Sequence, residues 1–321
     1  MIDQFGRTID YMRISVTDRC NLRCKYCMPE PFDWLSHSEI LSYEEILRIA
    51  QAAIRLGITH FKVTGGEPLV RKDIVQFIGR LRALPGCKAV TLTTNGVLLG
   101  ELAQPLKQAG LDAVNISLDT PDADRYAQIS GVDALPKVMQ GIDAALDAGL
   151  KTKLNCVLLQ DTKDQVVALA ELAEHRPLDV RFIELMPIGE GMQGGGFSPQ
   201  QARACLLQRW PDLHPINEQR GYGPARYEAS EKLMGRIGWI DAVSHGFCEQ
   251  CNRVRLTCTG QLKPCLCYES GTDLRALIRS GAGEETLYKA LQQAIYKKPS
   301  AHCFAQQDEI TENRIMAQIG G

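Results

Sequence analysis

The sequence predicts an α/β protein whose first 186 residues form successive β-α units. Runs rich in Val, Ile, Leu and Thr alternate there with segments of helical apolar spacing. Glycines follow the helical segments in the positions expected of C-cap residues: Gly57, Gly86, Gly110 and Gly149. Successive β-α units pair their strands in parallel through right-handed crossovers. An open sheet and a barrel both satisfy this pattern.

Six strands are predicted in this region. They are Ile9–Thr17, His60–Thr64, Ala89–Thr94, Ala113–Asp119, Lys151–Leu159 and Asp179–Met186. The helices predicted between them are Tyr43–Leu56, Asp73–Leu84, Leu98–Ala109, Leu135–Ala148 and Asp164–His175. Ser42 and Glu45 have the spacing of a capping box, which predicts the start of the first helix.

The periodicity weakens over residues 187–235, apart from an apolar helix around Ala202–Arg209. We therefore expect a loose domain boundary near residue 215. This divides the chain into a larger domain, 1–215, and a smaller C-terminal domain, 216–321, that caps the first.

The composition is that of a globular protein with no general affinity for nucleic acid or membrane. The chain has 321 residues, 45% of them hydrophobic, and a formal net charge of −2. No apolar run reaches the roughly 18 residues of a membrane span, and the N-terminus lacks an apolar signal region. We expect a cytoplasmic protein, in which 12 cysteines favour metal binding over a disulfide framework.

The loop after the first predicted strand carries Cys20, Cys24 and Cys27, spaced Cys-x3-Cys-x2-Cys. Three thiolates in a loop can surround one inorganic centre, and both zinc and iron–sulfur clusters take cysteine ligands. No fourth cysteine or histidine stands nearby. Three ligands on a four-iron cluster leave one iron open for a substrate or cofactor, which favours chemistry over electron storage. A zinc knuckle is the alternative.

Polar residues recur at the C-terminal ends of the predicted strands, where active sites of (β/α) barrels gather. Gly65 and Gly66 allow a close backbone approach to a ligand, and the Glu67 carboxylate suits a ligand ammonium. A tight turn is the alternative for this segment. The other polar strand ends carry Thr93, Asn95, Ser117, Asp119, Lys153, Asn155, Arg181 and Glu184. Their recurrence favours a lined pocket.

A second group, Cys248, Cys251 and Cys265, has the spacing Cys-x2-Cys-x13-Cys and lies beside Arg253 and Arg255. The spacing alone also fits zinc, with Cys258 and Cys267 as further candidate ligands. The guanidinium groups suit phosphate, so a nucleotide held beside a metal is indicated. The remaining cysteines are interpreted as buried or incidental small residues: Cys87, Cys156, Cys205 and Cys303.

The first cysteine group, with Tyr26, resembles the signature of the radical S-adenosylmethionine (SAM) superfamily. The region of the second group resembles one branch of it, the GTP 3',8-cyclase family of molybdenum-cofactor biosynthesis. The resemblance runs from Phe5-Gly-Arg7 and Arg13–Arg19 to Ile319-Gly320-Gly321. It implies an incomplete (β/α)6 TIM-like barrel, with the C-terminal domain capping its mouth.

The resemblance also implies two [4Fe–4S] clusters, SAM and GTP. One cluster is expected on Cys20, Cys24 and Cys27, and the other on Cys248, Cys251 and Cys265. The positions expected to contact SAM are Tyr26, Gly66, Glu67, Ser117 and Met186. Those expected to contact GTP are Arg13, Lys62, Thr93, Lys153, Arg253 and Arg255. The catalytic positions implied are Arg253, Arg255, Gly320 and Gly321, the last two as a tail that reaches the active site.

Two residues depart from the family pattern. Lys62 stands where arginine is expected, so charge is retained but the bidentate geometry for phosphate is lost. Cys267 stands where an aromatic residue is usual, so the choice of Cys265 as ligand rests on the family pattern. Neither departure removes a required chemical group.

The implied reaction begins with reductive cleavage of SAM to a 5'-deoxyadenosyl radical, which takes hydrogen from C3' of GTP. The carbon radical then attacks C8 of guanine and gives 3',8-cyclo-7,8-dihydro-GTP. An external low-potential electron donor, the next enzyme of the molybdopterin pathway and a homodimer are the implied partners. The alternatives are a peptide-modifying radical SAM enzyme with an auxiliary cluster and a non-catalytic zinc module.

Overall fold

The structure is a computed structural model and describes residues 1–28 and 33–320. Its strands in chain order are β1 Tyr11–Ser15, β2 His60–Thr64, β3 Ala89–Thr94, β4 Ala113–Ser117, β5 Lys151–Val157, β6 Asp179–Ile183, β7 His214–Ile216, β8 Arg226–Ala229, β9 Ile237–Ile240, β10 Arg253–Leu256, β11 Gln261–Lys263 and β12 Thr272–Asp273. Its helices are α1 Tyr43–Arg55, α2 Ile74–Arg82, α3 Leu99–Gln108, α4 Ala123–Ser130, α5 Leu135–Asp147, α6 Val166–Glu171, α7 Pro199–Arg209, α8 Leu274–Arg279, α9 Glu284–Tyr296 and α10 Met316–Ile319.

All of these strands belong to one sheet, in the order β12-β11-β10-β1-β2-β3-β4-β5-β6-β9-β8-β7. Strands β1 to β6 are parallel and neighbour one another in chain order. The C-terminal region extends this parallel set on both sides, because β10 pairs with β1 and β9 pairs with β6. The outer strands are antiparallel. The predicted α/β fold with parallel β-α units is confirmed.

The expected division of the chain near residue 215 stays a prediction. Strands β9 and β10 lie in the same sheet as β1 to β6, so the sheet itself is continuous across that position. The C-terminal region therefore supplies the two flanks of the parallel sheet.

Each helix and strand predicted up to residue 186 has an observed counterpart, although β1, β6 and α6 are shorter than predicted. The capping box forms at α1, where Ser42 Oγ accepts from the Glu45 N–H and the Glu45 carboxylate accepts from the Ser42 N–H. Gly57, Gly110 and Gly149 directly follow the C-cap residues of α1, α3 and α5 and have positive φ angles. Gly86, predicted in the same role, lies beyond the C-cap Ala83 of α2, in the turn between Leu84 and Cys87. Helix α4 was not predicted, because it buries only Tyr126 and Ser130 and so shows no apolar stripe.

The sheet has an apolar and a polar face. Helix α1 packs its buried side chains, among them Ile46, Ile49 and Ala53, into the main core. In β2, Phe61 and Val63 join this core, while the alternate residues of the strand are polar although buried. The polar face therefore lies inside the protein and forms the candidate site.

Within residues 1–28 and 33–320, no helix is both long and apolar enough to span a bilayer.

Candidate active site

The first cysteine group lies in the loop that leaves the C-terminal end of β1, as predicted from its position. The segment after β2 holds this loop in place. The Gly66 N–H donates to the Thr17 carbonyl and the Glu67 N–H to the Arg19 carbonyl, both at 2.7 Å. A Cβ on Gly66 would lie 2.4 Å from the Asp18 carbonyl oxygen. This glycine is therefore needed for the close approach of two backbone segments, and its approach to a ligand stays a prediction.

The three thiols of this loop are close enough to influence one another. Burial, followed by the charge of Cys20, raises the pKa of the Cys27 thiol to about 12. Burial and the charges of Asp119 and Cys27 likewise raise the pKa of the Cys24 thiol. A bound metal reverses this tendency, because a coordinating thiol is deprotonated outright. Three neighbouring half-buried thiols fit the donor set of an iron–sulfur cluster.

The Asp119 carboxylate connects the first cysteine loop to the neighbouring strands. The Tyr26 hydroxyl donates to Asp119 Oδ2 at 2.6 Å, and the Val157 N–H donates to Asp119 Oδ1 at 2.9 Å. These bonds tie the cysteine loop to the ends of β4 and β5. Ser117 and Met186, two further expected SAM contacts, are both half-buried. Ser117 ends β4, and Met186 lies in the segment that follows β6.

Glu67 joins the ends of β2 and β3. Its carboxylate accepts hydrogen bonds from the Leu69 N–H at 2.9 Å, the Thr94 hydroxyl at 2.7 Å and the Asn95 N–H at 2.6 Å. Burial nevertheless raises the pKa of this carboxyl group to about 7. These three donors already engage both oxygens of the Glu67 carboxylate. The contact of Glu67 with a SAM ammonium stays a prediction.

Cationic side chains crowd the polar face of the sheet. Arg13 on β1 is the register partner of Lys62 on β2 and of Arg255 on β10. Burial lowers the pKa of Lys62 well below its usual value, and the charges of Arg181, Arg13, Lys153 and Arg253 lower it further. We call this set the cationic face: Arg13, Lys62, Lys153, Arg181, Arg253 and Arg255. Buried like charges are costly without an anion, so the arrangement suits a polyanionic ligand.

The described residues offset this charge only in part. The Lys153 ammonium lies 3.2 Å from Asp179 Oδ2 and donates to the Tyr227 hydroxyl at 2.8 Å. Asp179 also accepts a forked contact from Arg220. Across residues 1–28 and 33–320, no acceptor reaches the buried Nε donors of Arg181 and Arg253. These donors are suited to bind a ligand. Thr93, the remaining expected GTP contact, is half-buried on β3.

The second cysteine group lies around a short 3₁₀ turn, Cys248–Gln250, and the segment after β11. Burial alone would raise the pKa of the Cys251 thiol, but the charges of Lys298 and Arg253 outweigh burial and lower it. Burial, together with the charges of Cys251 and Cys265, raises the pKa of the Cys248 thiol. These three thiols form a second donor set of the kind that an iron–sulfur cluster takes.

In the described part of the chain, no three His, Cys, Asp or Glu side chains are grouped as ligands of a single metal ion. A four-iron cluster distributes its cysteine ligands over separate irons, so they do not need to converge on one point.

Cys303 is buried, as interpreted from the sequence, but it is not an incidental residue. Its sulfur is bonded to that of Cys267, and the two Cα atoms are 6.4 Å apart. Both residues are buried in a small apolar cluster with Leu266, Phe304 and Ile319, which brought the two thiols together across 36 residues of sequence. The sequence gives no sign of this pairing. Cys267 is therefore engaged away from the second cysteine group.

The C-terminal tail enters the polar face. The Gly320 carbonyl accepts a hydrogen bond from Arg255 Nη1 at 2.9 Å. Gly320 has a φ of +80°, and a Cβ there would lie 2.8 Å from Ser15 Cβ, so both its conformation and its surroundings require glycine. The Ala317 backbone also opposes the effect of burial on the pKa of the Cys27 thiol. Gly321 lies outside the described residues.

Several residues of the site were not assigned a role from the sequence. Asp179 on β6 is the register partner of Lys153 on β5. Its two-residue spacing from Arg181, which was expected only as a polar strand end, would have placed it on the same face of the sheet. Arg7 donates to the Cys248 carbonyl at 2.9 Å and thus ties the N-terminus to the second cysteine group. Lys298, which acts on the Cys251 thiol, comes from a distant segment and had no signal in the sequence.

Two family models match the chain. Residues 14–173 match the model described as "Radical SAM superfamily", and residues 178–304 match the model described as "Molybdenum Cofactor Synthesis C". Together with the parallel sheet and the cysteine loop after β1, these matches define the class of the protein as a radical SAM enzyme.

Full-length relatives define the branch within this class. A GTP 3',8-cyclase of Clostridium perfringens (strain SM101 / Type A) is 41% identical over 323 residues, with both chains fully covered. A GTP 3',8-cyclase of Heliobacterium modesticaldum (strain ATCC 51547 / Ice1) is 45% identical over 327 residues, again with full coverage of both. The chain belongs to the GTP 3',8-cyclase family. The predicted cofactors, [4Fe–4S] clusters and SAM, agree with this membership.

Solved structures support the fold. Streptococcus suis SuiB, crystallised with S-adenosylmethionine, has a TM-score of 0.64 at 13% identity, covering 97% of this chain and 77% of that one. Native anSMEcpe with bound AdoMet has a TM-score of 0.51 at 19% identity, covering 62% of this chain and 60% of that one. At such identities the likeness concerns the fold alone, and it agrees with the predicted radical SAM architecture.

Proposed function

We propose that this chain cleaves SAM and converts GTP to 3',8-cyclo-7,8-dihydro-GTP, the first step of molybdopterin biosynthesis. The observation that carries the proposal is the cationic face beside two thiol-rich loops. Its buried guanidinium and ammonium groups suit a triphosphate. Full-length similarity to relatives named GTP 3',8-cyclase supports the choice of GTP.

In this proposal, Cys20, Cys24 and Cys27 hold the first [4Fe–4S] cluster. Cys248, Cys251 and Cys265 hold the second. When bound, the first cluster supplies the electron that cleaves SAM. The protein itself supplies position and shelter. Tyr26, Gly66, Glu67, Ser117 and Met186 line the place of SAM near the first cysteine loop.

The proposed GTP contacts are Arg13, Lys62, Thr93, Lys153, Arg253 and Arg255. Arg13, Lys62 and Arg255 are register neighbours on the adjacent strands β1, β2 and β10, so a triphosphate would meet several positive charges at once. Gly320 and Gly321 form the end of the tail in this proposal, and the Gly320 carbonyl fixes the Arg255 guanidinium through its hydrogen bond.

The remaining parts of the proposal concern partners and place. Reduction of the first cluster requires an external low-potential electron donor. The cyclised nucleotide passes to the next enzyme of the molybdopterin pathway. We further propose a homodimer in the cytoplasm, on the family resemblance.

The test is anaerobic reconstitution of the full chain, followed by reaction with SAM, dithionite and GTP. About eight irons per chain, with 5'-deoxyadenosine and a cyclised GTP product, are expected. Eight irons and 5'-deoxyadenosine without GTP conversion would move the substrate to the peptide-modifying alternative. Zinc in place of iron, with no SAM cleavage, would overturn the proposal.

Lys62 provides a prediction in which stability and binding change in opposite directions. Burial and four neighbouring cations lower the pKa of Lys62, so its charge is unfavourable before GTP binds. We expect Lys62→Met to raise the free energy of unfolding of the GTP-free protein and to weaken GTP binding by about tenfold, as for loss of one hydrogen bond to a charged group. Urea unfolding and equilibrium dialysis measure the two effects.

The control Lys62→Arg keeps the charge and should retain GTP binding. Unchanged affinity in Lys62→Met would remove Lys62 from the GTP site.

Lys153 provides a prediction about pH. Burial and the charge of Arg181 lower the pKa of its ammonium group to about 8. The group is therefore charged below this pH and loses its charge as the pH rises through it. We expect GTP affinity to fall above about pH 8, by up to about tenfold per pH unit where only the charged form binds. Calorimetric titration from pH 7 to 9 measures this fall. In Lys153→Arg, whose charge persists, the part of the fall that is due to Lys153 should vanish, so the fall should be smaller than in the wild type. An identical pH profile in the variant would contradict the prediction.

A further inference from the structure

A buried ion pair holds the chain at the start of the C-terminal tail. The Lys263 ammonium, on β11, contacts the Glu312 carboxylate, and both side chains are completely buried. The Arg314 guanidinium also binds this carboxylate, with Nε 2.9 Å from Glu312 Oε1. The Glu312 N–H donates to the Cys267 carbonyl at 3.3 Å. Glu312 is thus fixed through both its side chain and its backbone.

The register of the sheet connects this ion pair to the other end of the tail. Lys263 on β11 is the direct cross-strand partner of Arg255 on β10. Arg255 binds the Gly320 carbonyl at 2.9 Å. Directly paired residues of an antiparallel ladder direct their side chains to the same face. Two neighbouring cations on one face therefore hold the tail at two points, Glu312 and Gly320.

The segment between these points is held by apolar contacts as well. Ile319 is buried in the small cluster that contains Phe304 and the Cys267–Cys303 disulfide. When one end of a flexible segment is attached, its other end has a much higher effective concentration at its binding site than an unattached segment would have. The Glu312 attachment therefore favours the Gly320–Arg255 contact. In some proteins a buried ion pair selects one arrangement of the chain over others. We assign the Lys263–Glu312 pair such a role for the tail.

We propose that Lys263 is a positioning residue, which anchors the tail through Glu312 and so presents Gly320 to Arg255. Its importance for the reaction rests on the proposed function, because Arg255 is a proposed GTP contact. Lys263 itself does not touch the substrate in this proposal. It acts through the tail, and loss of the anchor leaves the sheet and both cysteine groups in place.

Hydrogen exchange of the reconstituted protein without GTP tests the anchor directly. In Lys263→Met, the amides of residues 316–320 should exchange at least about tenfold faster than in the wild type, while those of β1 to β6 keep their rates. Glu312→Gln removes the charge of the other partner of the ion pair and should give the same increase in exchange. With two variants, the test does not depend on the correct folding of either one alone. The matched control is Arg279→Met, which breaks the exposed pair of Arg279 with Glu45 and should leave tail exchange unchanged. Wild-type exchange of residues 316–320 in both anchor variants would overturn the proposal.

A second readout separates positioning from general damage. In Lys263→Met, the yield of cyclised GTP per 5'-deoxyadenosine formed should fall about tenfold, which corresponds to about 1.4 kcal/mol. SAM cleavage itself should continue, and Arg279→Met should keep the wild-type yield. An unchanged yield in Lys263→Met would overturn the positioning role. If the wild type cyclised no GTP, the proposed function would fail, while hydrogen exchange would still decide whether the anchor exists.

Discussion

Replacing Cys24 by serine is expected to abolish SAM cleavage. Cys24 is the middle member of the first cysteine group, and its thiol lies within the electrostatic influence of both Cys20 and Cys27. Serine is nearly isosteric but lacks the thiolate that iron–sulfur clusters require. The iron content of the reconstituted protein should therefore fall from about eight to about four per chain. Iron analysis and chromatography of 5'-deoxyadenosine measure the two losses.

Cys205→Ser is the matched control for this experiment. Cys205 is a half-buried free cysteine on α7, outside both cysteine groups. This variant should keep about eight irons and the wild-type rate of SAM cleavage. If Cys24→Ser still cleaved SAM, the assignment of Cys20, Cys24 and Cys27 as cluster ligands would be wrong.

Adding one methyl group at Gly66 is expected to have an effect almost as large. The Cβ of alanine would lie 2.4 Å from the Asp18 carbonyl oxygen and 2.5 Å from the Arg19 carbonyl oxygen. Backbone atoms cannot move aside as a flexible side chain can, so the cysteine loop must shift. Overpacking of this kind typically costs about 1–3 kcal/mol. We expect Gly66→Ala to lower the free energy of unfolding by this amount and to reduce SAM cleavage at least about tenfold.

Gly79→Ala provides the control for steric effects at glycine. Gly79 lies within α2, where an added Cβ would meet its nearest neighbours at 3.8 Å, an ordinary contact. Alanine also favours helix over glycine by about 1 kcal/mol. This variant should be as stable as the wild type or more so, and fully active. Equal stability and activity of Gly66→Ala and wild type, measured by urea unfolding and SAM cleavage, would refute the proposed packing constraint.

The sequence predicted β1 to β6 because their apolar and β-branched runs are separated by well-capped helices. The C-terminal strands gave no comparable signal. Strand β11 has three residues and β12 has two, which is too short for an alternating pattern to appear. Their place in the sheet is decided by pairing with β10, a contact between segments that the sequence alone does not relate.

The same difference between local patterns and contacts of distant segments separates the site residues that the sequence predicts from those that it does not. Both cysteine groups are local patterns, so spacing revealed them. Lysine is almost never fully buried unless it is paired. The sequence around Lys263 shows no partner, so the residue would be expected at the surface. Its partner Glu312 is distant in sequence, and only the fold brings the two together. The Cys267–Cys303 disulfide was missed for the same reason.

The pairing of β1 with β10 has a consequence for synthesis of the protein. Tyr11 pairs with Arg253, so the first strand to leave the ribosome acquires its outer neighbour only after most of the chain has been made. At about 5–20 residues per second, this delay is roughly 10–50 s. During that time one edge of the nascent sheet is open to pairing with other chains. We expect the growing polypeptide to depend on chaperones, and fragments that end before β10 to aggregate.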